Sequence, residues 1–333
     1  MDARWQHTNL DALRTLKLKD NVDAGTLEWT AKHANFPSLS ALEIRAGSGG
    51  NRSDTATLLQ SLPSLNELAF TGDVCESTLS AIVSHHGHFL RRLPVPRSAS
   101  TIESLQILRK ACPLLEHLGV RILRTQGDKH EAGLYTCLGS FTKVRSLCLD
   151  LDCSITVHNE NTLDDLSWSG ITQDPTYKEL CTRRVLVNCA IDAALVTAIF
   201  RRIAAAKPKS STRLQSIEFN VVGVGTICFS DAQVSAGELD SRYSGFDTTR
   251  LYPLYQHFER QWKCALSPRD DEPDGIITEE LKGSQARRMR YEDILGGRPP
   301  EMGDAEPEFC ALWPREPSQD WRDVWSSLPL AEA

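Results

Sequence analysis

Apolar residues recur along this chain as short triplets of the form L-x-x-L-x-L. They are Leu13, Leu16, Leu18; Leu39, Leu42, Ile44; Leu65, Leu68, Phe70; Leu90, Leu93, Val95; Leu115, Leu118, Val120; and Val144, Leu147, Leu149. Each start follows the last by roughly 25 to 29 residues, a near-constant interval. A seventh triplet, Leu214, Ile217, Phe219, begins too far beyond Val144 for one such segment, at a distance that suits two of them and an inserted loop at about 159–179. Apolar positions two apart mark a strand buried on one face, so each triplet predicts a strand.

The intervening stretches read as helices. Ser100 and Glu103 fit a capping box, Ile102, Leu105, Leu108 and Cys112 recur at helical spacing, and Pro113 forbids continuation. Ser77 predicts the cap of a helix that carries Leu79, Ile82 and Val83 and stops near Gly87, while Leu195, Ile199 and Ile203 predict a longer helix ending at Lys207-Pro208. Strand and helix in strict alternation at a fixed period predict an α/β solenoid over residues 1–267, with a parallel concave sheet and convex helices. A single segment cannot bury both apolar faces. Stacking can, and each side chain fully buried that way contributes roughly 1.5 to 3 kcal/mol.

Together these residues resemble the leucine-rich-repeat family. The run Lys110-Ala111-Cys112-Pro113-Leu114-Leu115-Glu116-His117-Leu118 is similar to the cysteine-containing repeats of F-box proteins, and Arg184-Val185-Leu186-Val187-Asn188-Cys189-Ala190-Ile191-Asp192 and the 262–281 region resemble fungal F-box-type repeat proteins. The resemblance implies a protein-interaction scaffold akin to the substrate-recognition part of a ubiquitin-ligase receptor. The first triplet starts too near Met1 for a helical F-box, so a ligase adaptor is expected as a partner only if other sequence supplies that segment. The asparagine that follows the triplet in many such repeats occurs only as Asn21, with Gly47, Asp73, Ser98, Leu123 and Asp152 at the equivalent positions, so no continuous asparagine ladder is expected.

Residues between the apolar positions of each strand face the other way and would bind the partner. Those singled out are Lys17, Lys19, Glu43, Arg45, Glu67, Arg92, His117, Arg121, Asp150 and Glu218. Basic groups prevail among the early strands and acids among the late ones, which suits a protein partner of complementary charge. Solvated strand positions would look the same. Pro94 and Pro96 lack N–H groups on the same side of the fourth strand, and they predict a seam or bend against one neighbour.

Composition narrows the partners. The 333 residues carry a net charge of -7, but from Pro268 onward there are 16 acids against 8 bases, leaving 28 acids and 29 bases in the body. A near-neutral body argues against nucleic acid. No apolar run approaches the roughly 20 residues a bilayer needs, and no apolar signal segment opens the chain, which predicts no membrane and a cytoplasmic or nuclear location. None of the 10 cysteines forms a Cys-x-x-Cys pair, so free thiols are expected.

Catalytic chemistry finds no foothold. Gly47-Ser48-Gly49-Gly50 has Arg52 where a dinucleotide loop needs glycine, and His85, His86 and His88 read as a helix end, where imidazoles suit the carbonyl dipole. Asp150 and Asp152 share a strand face without a third ligand. No catalytic residue, cofactor or metal is assigned, and the chain reads as a binding protein rather than an enzyme. The alternatives are a repeat-fold regulator of another enzyme, such as a small GTPase, and an enzyme with a dispersed site.

Residues 268–333, with 8 of the 16 prolines, read as closing strands followed by an acidic, loop-rich tail. Leu251, Leu254, Tyr255, Phe258 and Trp262 form a helical stripe before it, and Lys263 to Leu266 with Ile276 to Glu280 predict a strand pair. Arg287, Arg288 and Arg290 read as a solvated turn rather than a nuclear-import patch. Trp313, Trp321, Trp325 and Leu328 either dock back on the body or form a partner-binding motif.

Overall fold

Each apolar triplet becomes a strand that starts two residues after its first member. The computed structural model describes residues 10–18, 22–33, 35–45, 52–71, 76–157, 175–224, 227–229, 232–234, 254, 257–268, 275–283, 285 and 301–332. Strands β1 (Thr15–Leu18), β2 (Ala41–Arg45), β3 (Glu67–Thr71), β4 (Arg92–Ala99), β5 (His117–Leu123) and β6 (Ser146–Asp152) alternate with helices α1 (Ala24–His33), α2 (Arg52–Ser61), α3 (Glu76–Ala81), α4 (Ile102–Ala111) and α5 (Lys129–Gly139). After β7 (Ile155–Val157) come α6 (Pro175–Cys189), α7 (Ala193–Ala205), β8 (Ser216–Val222), β9 (Ile227–Phe229), β10 (Ala232–Val234), β11 (Gln261–Leu266), β12 (Ile276–Glu280), α8 (Glu306–Leu312) and α9 (Trp321–Val324). The result is a mixed α/β fold around a nine-stranded, mostly parallel sheet of order β1-β2-β3-β4-β5-β6-β8-β11-β12, beside a three-stranded sheet β10-β9-β7.

The register follows the sequence period. Leu16 pairs with Leu42 and Leu42 with Leu68, and farther along Leu93 pairs with Leu118. Leu42, Leu68, Leu93 and Leu118 are buried, whereas Glu67, Arg92 and Lys17 on the other face are exposed. The proline seam is present: β2 and β3 pair over five residues, but the β3 to β4 register comprises Glu67 with Arg92. On its other side β4 pairs with β5 through Pro94 and Gly119, then slips so that Ala99 meets Arg121.

Several local expectations are corrected. β6 lies directly beside β8, and among the described residues no strand of the large sheet falls between Asp152 and Ser216, so one enlarged segment fills that interval rather than two. The intervening chain makes α6, α7 and a strand of the small sheet. α6 starts at Pro175, inside the stretch expected as inserted loop, because proline's fixed φ suits a first helical turn. The cap of α4 is Thr101, not Ser100: Ser104 N donates to Thr101 Oγ1 at 3.2 Å and Thr101 N donates to Ser104 Oγ at 3.0 Å. Ser77 lies inside α3, which passes into a π-helical turn at Ile82–His86. Trp262, expected on the helical stripe, lies on β11 and donates Nε1–H to Ile191 O at 3.2 Å; Leu254 and Phe258 are helical and buried, and Leu251 and Tyr255 lie outside the described residues. The expected closing strands are β11 and β12, an antiparallel pair.

The chain divides into two compact units, one of residues 1–121, 134–149 and 202–216 and the other of 122–133, 150–201 and 217–333. In the first, glycines let successive segments approach closely. A Cβ at Gly87 would lie 2.7 Å from Ala111 O, and one at Gly139 would strike Ile203 O and the Ala206 methyl. His86, fully buried, is not a cap for its own helix. It accepts from Leu65 N at 3.3 Å through Nδ1 and donates Nε2–H to Leu59 O at 2.9 Å, tying the turn after α2 to the end of α3. The bond accepted from Leu65 N needs the neutral ring, and burial, helped by repulsion from His85, pushes its pKa down to about 4.

In the second unit the tryptophan segment docks on its own chain. Trp325 Nε1 donates to Leu186 O at 3.2 Å, Ser327 N and Oγ donate to the Asp192 carboxylate at 2.9 and 2.8 Å, and Ala331 N donates to Gly127 O at 2.7 Å. Trp321 and Trp325 pack on Phe258, and Phe309 on Trp313 and Trp321. Residues 287–290 lie outside the described residues.

Two outcomes follow. Gly139→Val loses about 1 to 3 kcal/mol of stability in urea melts, since the added carbons meet backbone that cannot retreat. Because the His86 pKa in the fold lies below its ordinary value of 6.5, the neutral-ring contribution is complete above pH 6.5 and is lost as the pH falls toward about 4. His86→Gln flattens the stability profile across that window, as denaturant titrations at stepped pH would record.

Candidate interaction surface

The polar face of the early strands is built from residues that pair across the sheet. Lys17 Nζ meets Glu43 Oε2 at 2.7 Å between β1 and β2, with side chains 55% and 43% exposed. Glu67 Oε1 lies 3.9 Å from Arg92 Nη1 between β3 and β4, and Arg92 stands opposite His117 on β5. Partial burial, with the positive charge of Arg92 and Arg145 beside it, lowers the His117 pKa. Just before the strands begin, Glu116 takes Arg91 Nη1 at 2.5 Å and Arg145 Nη2 at 2.8 Å. These two guanidiniums hold its carboxyl below the usual carboxylate range, the Arg91 hydrogen bond contributing most. Such cross-strand pairs contribute about 0.2 to 1 kcal/mol each, but each also cancels the field that its members would present to a visitor.

Of the other expected contact residues, Arg121 is half-buried in the same unit, while Lys19 and the side chain of Arg45 lie outside the described residues. Asp150 and Glu218 belong to the second unit. Asp150 Oδ1 accepts from Asn220 Nδ2 at 2.9 Å, and Asn220 Oδ1 accepts from Gln261 Nε2 at 3.0 Å, so a hydrogen-bonded row crosses β6, β8 and β11. Glu218 is exposed on β8 between Ser216 and Asn220. Structure thus brings Lys17 to Glu43, and Glu67 to Arg92. What sequence reading missed was the pairing: bases and acids alternate across strands instead of collecting by sign.

A buried polar cluster in the second unit carried no sequence signal. After β5 the chain turns through Gln126 and Gly127, both at positive φ (63° and 76°), into α5. Arg124 and Glu131, with side chains 1% and 0% exposed, form an ion pair, and Glu131 Oε2 also accepts from Thr125 N at 2.8 Å and Gly127 N at 2.9 Å. Asn188, from the end of α6, closes the cluster. Its Nδ2 donates to Arg124 O and its Oδ1 accepts from Gln126 N, both at 3.0 Å. An asparagine thus braces backbone as a ladder residue would, but from a segment distant in sequence.

Around it lie buried thiols. Cys153 Sγ donates to Asn188 O at 3.2 Å, and burial, reinforced by Cys153, pushes the Cys189 thiol well above its ordinary range. Cys112, Cys137, Cys148, Cys153, Cys181, Cys189, Cys264 and Cys310 are unbridged. Among the described residues no group of three or more His, Cys, Asp and Glu side chains is placed to hold a metal ion, and no helix is long and apolar enough to cross a membrane. The Glu131 carboxylate is committed to the Arg124 guanidinium and to backbone N–H groups, so this cluster braces a turn.

Comparison with protein-family models gives no match, and comparison with curated proteins gives none either.

Removing one partner of a buried ion pair strands the other charge. Glu131→Ala costs about 3 to 5 kcal/mol in chemical denaturation, well above the loss from Lys17→Ala at the exposed pair.

Proposed function

We propose that the parallel strands belong to a leucine-rich-repeat solenoid acting as a protein-recognition scaffold, with a role like that of the substrate-binding part of an F-box receptor. One observation carries this reading: strands recurring at the interval of the apolar triplets pair in register, Leu16 with Leu42 with Leu68 and Leu93 with Leu118, while Lys17, Glu43, Glu67 and Arg92 are displayed on the other face. A regularly spaced array of polar side chains on paired strands loses little conformational entropy when a partner lands on it, which favours recognition over catalysis. Specificity then comes from a partner that substitutes its own charges for the cross-strand partners, acid for Glu43 or base for Arg92.

The test compares affinity capture by the native chain and by a variant carrying Lys17→Ala, Glu43→Ala, Glu67→Ala and Arg92→Ala. Proteins associated with ubiquitin ligation are expected with the native chain and are depleted roughly tenfold with the variant. The same proteins recovered equally with both would exclude this face, and small GTPases in their place would identify a regulator of those enzymes instead.

A further inference from the structure

Four turns of the first compact unit, at 87–91, 111–116, 139–145 and 206–215, each return a helix to a strand, and they lie side by side. Glu116 N donates to Arg91 O at 2.8 Å, Arg145 N to Glu116 O at 2.9 Å, Thr212 N to Thr142 O at 2.8 Å and Gln215 N to Arg145 O at 2.7 Å. With strands about 4.8 Å apart, three steps span about 15 Å. The turns contain six lysines and arginines, Arg91, Lys143, Arg145, Lys207, Lys209 and Arg213, and one acid, Glu116. That acid is already shared by Arg91 and Arg145, and Lys207 Nζ donates to Phe141 O and Val144 O at 2.7 and 2.9 Å. Lys143, Lys209 and Arg213 are exposed.

The other end of the row is apolar. Phe89 and Leu114 occupy equivalent positions of successive segments, each immediately before a buried leucine, Leu90 or Leu115, and they are 52% and 38% exposed. Ile107 on α4, 49% exposed, belongs to the same segment as Leu114. Single exposed apolar residues are ordinary, but two at matching positions of adjoining turns, next to a stretch where bases outnumber acids, form a two-part surface.

We propose that this row of turns docks an acidic segment of a partner protein, seating an aromatic or aliphatic side chain against Phe89 and Leu114 and carboxylates along Lys143, Lys209 and Arg213. An extended segment of about five residues reaches the necessary length. The apolar pair at one end disfavours a nucleic acid, which would need aromatic platforms along the whole row. A lipid surface would need apolar side chains distributed along the row instead of gathered at that end. This site is separate from the polar strand face and stands without it.

Fluorescence anisotropy of the full chain tests it with a dye-labelled hexapeptide, Phe-Leu followed by four glutamates. Saturable binding is expected, weakened roughly tenfold by Lys143→Glu with Lys209→Glu, and again by Phe89→Ser with Leu114→Ser, and abolished by high salt. Lys17→Ala with Arg92→Ala leaves it unchanged, which separates failure of this site from failure of the strand-face reading. These side chains are exposed, so folding is retained; thermal melts check this, and Leu114→Ser alone serves if the pair melts early. Equal binding of six glutamates, indifference to either pair of substitutions, or tighter binding of phosphatidylserine vesicles or a single-stranded oligonucleotide would each overturn the proposal.

Discussion

A fixed parallel register is the constraint from which the rest of this structure follows. Parallel neighbours cannot be joined by a tight hairpin, so each strand needs a crossover, and from β1 to β6 a single helix supplies it each time. Once Leu16, Leu42 and Leu68 are held in one column, everything at a constant offset from them is also aligned, and a property given to one turn is presented beside the same place in the next. Buried leucine columns, polar rows and the row of turns are three consequences of one spacing. Gly87 and Gly139 allow the close approach between segments that this spacing imposes, because any Cβ there would collide with neighbouring backbone.

Strand positions were legible because their signal is local. Two-residue alternation placed β1 to β6 and β8, and the prolines at 94 and 96 located the weakened join between β3 and β4, since a missing N–H is a property of the residue itself. What could not be read depends on residues brought together by folding. No local pattern says that β8 lies beside β6, that Asn188 braces the turn at Arg124, or that His86 serves Leu59 and Leu65 instead of its own helix. The capping error at α4 is of another kind, since Ser100 and Thr101 are both competent caps and only backbone geometry selects between them.

Charge shows why averages mislead at an interface. The body before Pro268 is nearly neutral by count, which argued against nucleic acid as a partner. Folding then sorts the charges. On the strand face opposite signs meet, Lys17 with Glu43 and Arg92 with Glu67, and their fields cancel locally. Along the turns Arg91, Lys143 and Arg213, widely scattered in sequence, fall into one row with a single acid among them. Sequence identified the strand face as the place to look for binding, yet its charges are the ones already matched.

The two buried polar arrangements show where hydrophobic stacking alone falls short. Apolar columns hold neighbouring strands with little preference for how the connecting turns are set, because dispersion and burial are nearly indifferent to small shifts. Hydrogen bonds are directional, and a buried one left unmade costs more than a made one returns. His86 therefore fixes the turn at Leu65 relative to α2, and Glu131 with Asn188 fixes the turn at Gln126, where positive φ is otherwise unfavourable for a side chain other than glycine. The first arrangement acts inside one compact unit and the second inside the other, each at a helix boundary where the leucine pattern carries no positional information. In this chain, periodic leucines set where strands run, and a few buried polar side chains set how the turns between them are held.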